Sequence, residues 1–226
     1  MTITISAVIP AYNAAPYIGQ TLESVLAQTR PPDEIIVIDD GSTDETALIA
    51  RAFAPRVRVI SQENQGISAT RNRSIDEAQG DVIAFLDADD RWTPNKLALQ
   101  ASALTAHATP ALIFGYVRQF ISPELNDEEQ KRIVCPPDAQ LGYLPGAMLT
   151  PKSLFDQIGR FGAWRSGEFI DWYARARDLA IPVIMLPDVV LERRLHPSSH
   201  TARQRQTLSD YAHILKAALD RKRLSG

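Results

Sequence analysis

The stretch "DVIAFLDADDRW", residues 81–92, decides how this chain is read. Val82 to Leu86 form an unbroken apolar run, the pattern of a strand buried on both faces. The run ends in carboxylates at Asp87, Asp89 and Asp90. Three carboxylates within four positions repel one another, and at the end of a buried strand they cost free energy unless positive charge sits among them. A divalent cation is the usual compensation, and an exposed acidic turn is the alternative.

Outward from this stretch, short β-branched runs alternate with helical segments. "TISAVIPA" precedes a helix expected over 17–28, "EIIVID" one over 44–53, "VRVIS" one over 67–79, and "DVIAFLD" precedes "TPNKLALQASALTAH". Strict alternation predicts an α/β fold with a mostly parallel central sheet and helices on both faces. Ligands in such sheets bind at the carboxyl ends of the strands, and three of these strands end in polar clusters: "PAYN", "DDGSTD" and "DADD". Any one of them is ordinary turn chemistry. Three at equivalent strand ends point to a site.

Beyond Ala108 the texture changes. "ALIFGYVRQFI" reads as a strand and the polar segment 122–140 as a mobile loop. "YLPGAMLTPKSLFDQIG" reads as a strand running into a short helix and "EFIDWYARARDLA" as a helix. "IPVIMLPD" and "VVLERRLH" read as two strands, and 201–223 as a helix. In that last helix Leu208, Tyr211, Ile214, Leu215 and Leu219 make an apolar stripe expected to pack on the domain. Its basic end, "DRKRL", suits a membrane surface or an acidic partner as the alternative.

The 226 residues are 45% hydrophobic and 23% charged, enough for one self-sufficient domain over 1–226. A formal net charge of −3 argues against nucleic acid as a partner. The single cysteine, Cys135, excludes an intramolecular disulfide and a cysteine-rich zinc site. The opening "MTITISAVIPAYN" has neither a basic leader nor a long apolar core, so neither a signal peptide nor a transmembrane span is expected, and the location is read as cytoplasmic.

No GxxxxGK[ST] and no GxGxxG follow the first strand, which removes the best support for nucleotide hydrolysis on a phosphate loop and for dinucleotide binding. A cation held by carboxylates is the other way to neutralise phosphates, because Mg²⁺ and Mn²⁺ prefer oxygen ligands and are shared between carboxylates and a diphosphate. If the strand alternation continues, Asp87 and Asp89 point the same way, one toward a ribose hydroxyl and one toward the metal.

"VIPAYNAAPYIGQTLESVLAQTRPPDEIIVIDDGSTDET" and "NQGISATRNRSIDEAQGDVIAFLDADDRWTPNKL" closely resemble the N-terminal signature of the family 2 glycosyltransferases, and the likeness continues more loosely to "LPDVVLERRLHPSS". The resemblance implies the GT-A fold, with a nucleotide-sugar-binding half over 1–108, an acceptor-side half over 109–200 and a C-terminal helix over 201–226. It implies an inverting transfer from a nucleotide-diphosphate sugar, UDP by default with dTDP and GDP open, assisted by Mn²⁺ or Mg²⁺. The acceptor is not encoded, though 122–140 and 145–172 are expected to shape its site. Pro10, Ala11, Tyr12, Asp39, Asp40, Arg71, Asp87 and Ala88 are implied on the donor, and Asp89 on the metal. A carboxylate can accept the imide N–H of a uracil, and an arginine offsets diphosphate charge. Arg194 and His196, in "RRLH", are implied on the donor and on the metal or a phosphate respectively.

One position departs from the family pattern. Where many relatives carry an acidic pair at the start of a helix, this chain has Glu168 and then Phe169, with Asp171 and Arg175 following as in the pattern. Phenylalanine takes no proton. Glu168 or Asp171 is then the base, three residues apart and on one helical face, with Glu168 favoured. Otherwise the chain only binds a donor or a partner. Trp164 and Trp172 either wall a sugar or fill a core. A phosphatase of the haloacid-dehalogenase type, suggested by "IIVIDDGST", is the remaining reading, against which the motif sits on the second strand with adjacent aspartates.

Overall fold

The computed structural model describes residues 3–197 and 208–225. Strand β1 (Ile5–Ala11) is buried along its whole length and is flanked by β2 (Glu34–Asp39) and β4 (Val82–Phe85). With β3 (Arg58–Ser61) these strands form a parallel sheet in the order β3-β2-β1-β4, closed by an antiparallel β8 (Thr150–Pro151). In-register pairing of Ala11 with Asp39 and of Val8 with Phe85 brings the three polar strand ends to one edge. The helices α1 (Ile18–Leu26), α2 (Thr46–Arg51), α3 (Ile67–Glu77) and α4 (Lys96–Ala106) follow where expected. In α1 the buried Ile18, Leu22 and Val25 recur at helical spacing. Their burial contributes about 1.5–3 kcal/mol per large side chain.

A second sheet, in the order β5-β9-β6-β7, is built from β5 (Arg91–Trp92), β6 (Leu112–Ile121), β7 (Gln140–Leu141) and β9 (Val183–Leu195). The two strands expected over 181–196 are one. Pro187 lacks an N–H for the ladder, and the β6–β9 register shifts across it: Phe114 faces Met185 while Tyr116 faces Val189. The segment 122–140 is not all loop. Asn126 accepts the N–H of Glu129, whose carboxylate takes the N–H of Asn126, and this capping box starts a helix, α5 (Asp127–Lys131). Residues 109–200 add α6 (Leu154–Ile158) and α7 (Glu168–Asp178).

The C-terminal helix α8 (Leu208–Ser225) packs on α7, and the expected segment 201–207 lies outside the described residues. Its stripe does not pack as a whole. Ile214 is buried, whereas Tyr211, Leu215 and Leu219 are exposed, because the helix meets α7 along a narrow line. No helix among the described residues is long and apolar enough to cross a membrane.

Candidate active site

The strand pattern stops at Phe85, and residues 87–90 form a turn closed by the Asp90 N–H on the Asp87 carbonyl, 3.1 Å. Alternation therefore does not govern the three carboxylates, and each finds a different partner. Asp87 Oδ1 accepts from Arg71 Nη2 at 2.7 Å. Asp89 Oδ2 stands 3.0 Å from His196 Nε2. Asp90 is buried and accepts the Arg194 backbone N–H at 2.8 Å. Burial, and then the charges of Asp89 and Asp87, push the Asp90 carboxyl well up, while that N–H pulls it down. Protein groups thus already meet the repulsion seen in the sequence.

Thr21, on α1, fixes the same turn by donating to the carbonyls of Ala88 (2.8 Å) and Asp90 (2.9 Å). Tyr17 lies against the His196 ring, with centroids 4.5 Å apart. Neither residue is marked by spacing, since α1 and the turn are about seventy residues apart in sequence.

Arg194 is a strut. Its guanidinium is buried and donates to the Asp89 carbonyl (2.9 Å), Ser122 Oγ (3.1 Å) and Gln20 Oε1 (2.7 Å), with Glu124 at 3.6 Å. It faces these groups and holds the turn from below. Against the burial that raises it, the Ser122 hydrogen bond and the charges of Arg194 and His196 pull the Glu124 carboxyl down.

At the β2 end the two aspartates diverge. Asp39 is buried and accepts the Ser42 N–H at 3.2 Å. Asp40 accepts from Gln62 Nε2 (2.7 Å), the Gln65 N–H (2.9 Å) and the Gly66 N–H (2.8 Å). Its carboxylate is thus committed to the loop that launches α3. Gly66 has φ +83, a conformation open to glycine and strained for other residues. A carboxylate so saturated is a poor phosphoryl acceptor, which counts against Asp40 as the nucleophile in the phosphatase reading. Pro10 and Ala11 lie at the end of β1, and Tyr12 beyond them is exposed.

Arg71, on α3, is buried and joins two elements: Nη2 holds Asp87, and Nη1 binds Glu168 Oε1 at the start of α7. Glu168 Oε2 has no hydrogen-bond partner among the described residues. Asp171 differs. Its Oδ2 meets Arg175 Nε at 3.2 Å and its Oδ1 meets Arg221 Nη1 at 3.5 Å, while Arg175 also donates to the carbonyls of Ile158 and Arg160. Phe169 is buried among Phe114, Trp172 and Tyr173, and Trp172 is fully buried. Of the two tryptophans weighed for a sugar wall, Trp172 is core and Trp164 is half-buried.

Asp89 and His196 fit a divalent cation. A carboxylate and an imidazole at 3.0 Å are donors of the right kind for Mn²⁺ or Mg²⁺, with the remaining positions suited to diphosphate oxygens and water. No cluster of three or more His, Cys, Asp or Glu side chains with metal-site geometry occurs among the described residues. The protein part of such a site is therefore small.

The parallel sheet with its loaded carboxyl edge is that of the GT-A class of glycosyltransferases. Residues 6–165 match glycosyl transferase family 2, and the chain belongs to that family. It is 38% identical over 116 residues to the putative teichuronic acid biosynthesis glycosyltransferase TuaG of Bacillus subtilis (strain 168), a match covering 50% of this chain and 46% of that protein. With the uncharacterized glycosyltransferase RP339 of Rickettsia prowazekii (strain Madrid E) it shares 28% identity over 225 residues, 92% of this chain and 69% of the relative. The crystal structure of S. aureus TarS superposes with a TM-score of 0.73 at 20% identity, covering 96% of this chain and 39% of that one. TarS 1-349 in complex with UDP-GlcNAc superposes at 0.71 and 22% identity, over 88% and 61%. The chain spans less than half the length of the first curated relatives it matches, 46% and 35%.

Proposed function

We propose that this chain transfers a sugar from a UDP-sugar to an acceptor hydroxyl with inversion, using Glu168 as general base and Mn²⁺ or Mg²⁺ at Asp89 and His196. The observation that carries the proposal is the single guanidinium of Arg71 between Asp87 and Glu168, which ties the donor edge of the sheet to the start of α7. Glu168 is anchored through one oxygen and keeps the other for the acceptor, whereas both oxygens of Asp171 face arginines. TarS, the solved neighbour, binds UDP-GlcNAc, which supports UDP as the first donor to test.

In this reading Pro10, Ala11, Tyr12 and Asp39 border the base of the donor, and Asp87 and Ala88 border its ribose. Arg194 acts through the turn it supports. Glu168 takes the acceptor proton as the acceptor oxygen bonds to the anomeric carbon and the bond from that carbon to the diphosphate oxygen breaks. A bound cation supplies the positive charge that the departing diphosphate needs. The outward face of α8, with Leu215 and Leu219 exposed beside Lys216 and Arg223, supports peripheral contact with an anionic membrane. A single cysteine fits a reducing, cytoplasmic location.

Phe169 favours a second reading, in which the chain binds a nucleotide sugar without transferring it. Calorimetric titration with UDP, dTDP and GDP sugars, with and without Mn²⁺, followed by assay of nucleotide release, separates the two. Metal-dependent binding with release supports transfer, binding without release supports the second reading, and no binding contradicts both.

A further inference from the structure

The first turn of α7 lacks the local device that usually sets a helix start. Its N-cap, Gly167, has φ +80 and offers no side chain, so no capping hydrogen bond fixes the direction of Glu168. The turn is held instead by α8. A Cβ added to Gly167 would stand 2.8 Å from Ile214 Cδ1 and 3.3 Å from Tyr211 Cε1, so the backbone before Glu168 lies directly against that helix. Ile214 is buried, and the Tyr211 hydroxyl lies 3.2 Å from Oγ of the fully buried Ser166. One turn into α7, Arg221 pairs with Asp171 at 3.5 Å, and farther along with Asp178 at 2.9 Å.

We propose that α8 braces the turn carrying Glu168, with Ile214 and Arg221 as positioning residues for the transfer; this rests on the reading of Glu168 as base. Arg71 fixes the glutamate from the donor side, and α8 fixes its backbone from the opposite side of the turn. Both are required because a shift of about 1 Å in a reacting group costs on the order of a hundredfold in rate. Among the described residues no hydrogen bond or ion pair joins Arg221 to the β1, β2 and β4 strand ends or to the Asp89–His196 pair, its partners being Asp171 and Asp178, so donor affinity is expected to survive its loss.

The test compares Ile214→Ala, Arg221→Ala and Arg221→Lys with the unaltered chain. It uses UDP release from UDP-GlcNAc with Mn²⁺, water taking the place of the acceptor hydroxyl, together with calorimetric UDP affinity and hydrogen exchange across 166–172. Turnover in the two alanine variants is expected to fall roughly ten- to a hundredfold at unchanged UDP affinity, with faster exchange in that segment, and Arg221→Lys is expected to restore most of the rate. Unchanged turnover and exchange in a chain that releases UDP would overturn the brace alone. So would a parallel loss of UDP affinity and turnover, which marks a purely structural role. An unaltered chain that binds UDP-GlcNAc but releases no UDP would overturn the transferase reading, and this proposal with it.

Discussion

Nε2 of His196 stands 3.0 Å from Oδ2 of Asp89, although 107 residues separate them in the chain. The end of β9 and the turn after β4 are brought together by β5, whose Arg91 pairs with Glu192, and by Arg194, which donates to Asp89 and Asp90. Because the proposed cation would have only these two side chains to hold it, loss of either is expected to matter. Asp89→Ala and His196→Gln are expected to abolish the Mn²⁺-dependent gain in UDP affinity while leaving the weaker metal-free binding in place. Calorimetry of each variant with and without Mn²⁺ checks this, and a preserved Mn²⁺ effect in either would contradict the assignment.

The two adjacent aspartates after β2 are expected to separate on substitution. Asp40→Ala leaves the N–H groups of Gln65 and Gly66 without their acceptor. It should cost about 2–3 kcal/mol of stability and loosen the loop before α3. Asp39→Ala should weaken donor binding more than it lowers stability. Denaturant midpoints alongside UDP affinities check the pair, and equal effects on both quantities would contradict the division of labour.

Lys96 is fully buried, and its ammonium donates to Gln100 Oε1 (2.6 Å) and the Met148 carbonyl (3.2 Å). Burial pushes its pKa well below the ordinary 10.5. Between the depressed folded value and about 10.5 the unfolded chain binds more protons than the folded one, so stability falls as pH drops through that window. Lys96→Met removes this dependence but also strands Gln100 Oε1. The stability of the variant relative to the unaltered chain should therefore improve as pH is lowered from about 10.5 toward neutrality. Denaturant midpoints over that range test it, and a constant difference would contradict it.

The strand ends were legible because a parallel sheet has one chemistry for its middle and another for its carboxyl edge. "AVIP", "IIVIDD" and "FLDADD" each carry that change within a few residues. What the carboxylates bind was not legible. Spacing suggested that Asp87 and Asp89 act on one face, but the strand stops two residues earlier and the turn sends one to Arg71 and the other to His196. Arg194 is implied on the donor because "RRLH" matches a basic-then-histidine feature of the family. Only the fold shows it buried among Gln20, Ser122 and the Asp89 carbonyl. The C-terminal stripe misled for a related reason. Periodicity reports a helix with an apolar face, but how much of that face is covered depends on the partner, and α7 covers Ile214 and little more.

With Phe169 in the neighbouring position, Glu168 is the proposed base for the acceptor proton. The most direct measurement is UDP release from saturating UDP-GlcNAc with Mn²⁺ by Glu168→Gln, alongside its calorimetric UDP affinity. The expected rate is lower by roughly 10²–10⁴ at near-unchanged affinity, because glutamine keeps a hydrogen-bonding partner for Arg71 but accepts no proton. Release at the unaltered rate would contradict it.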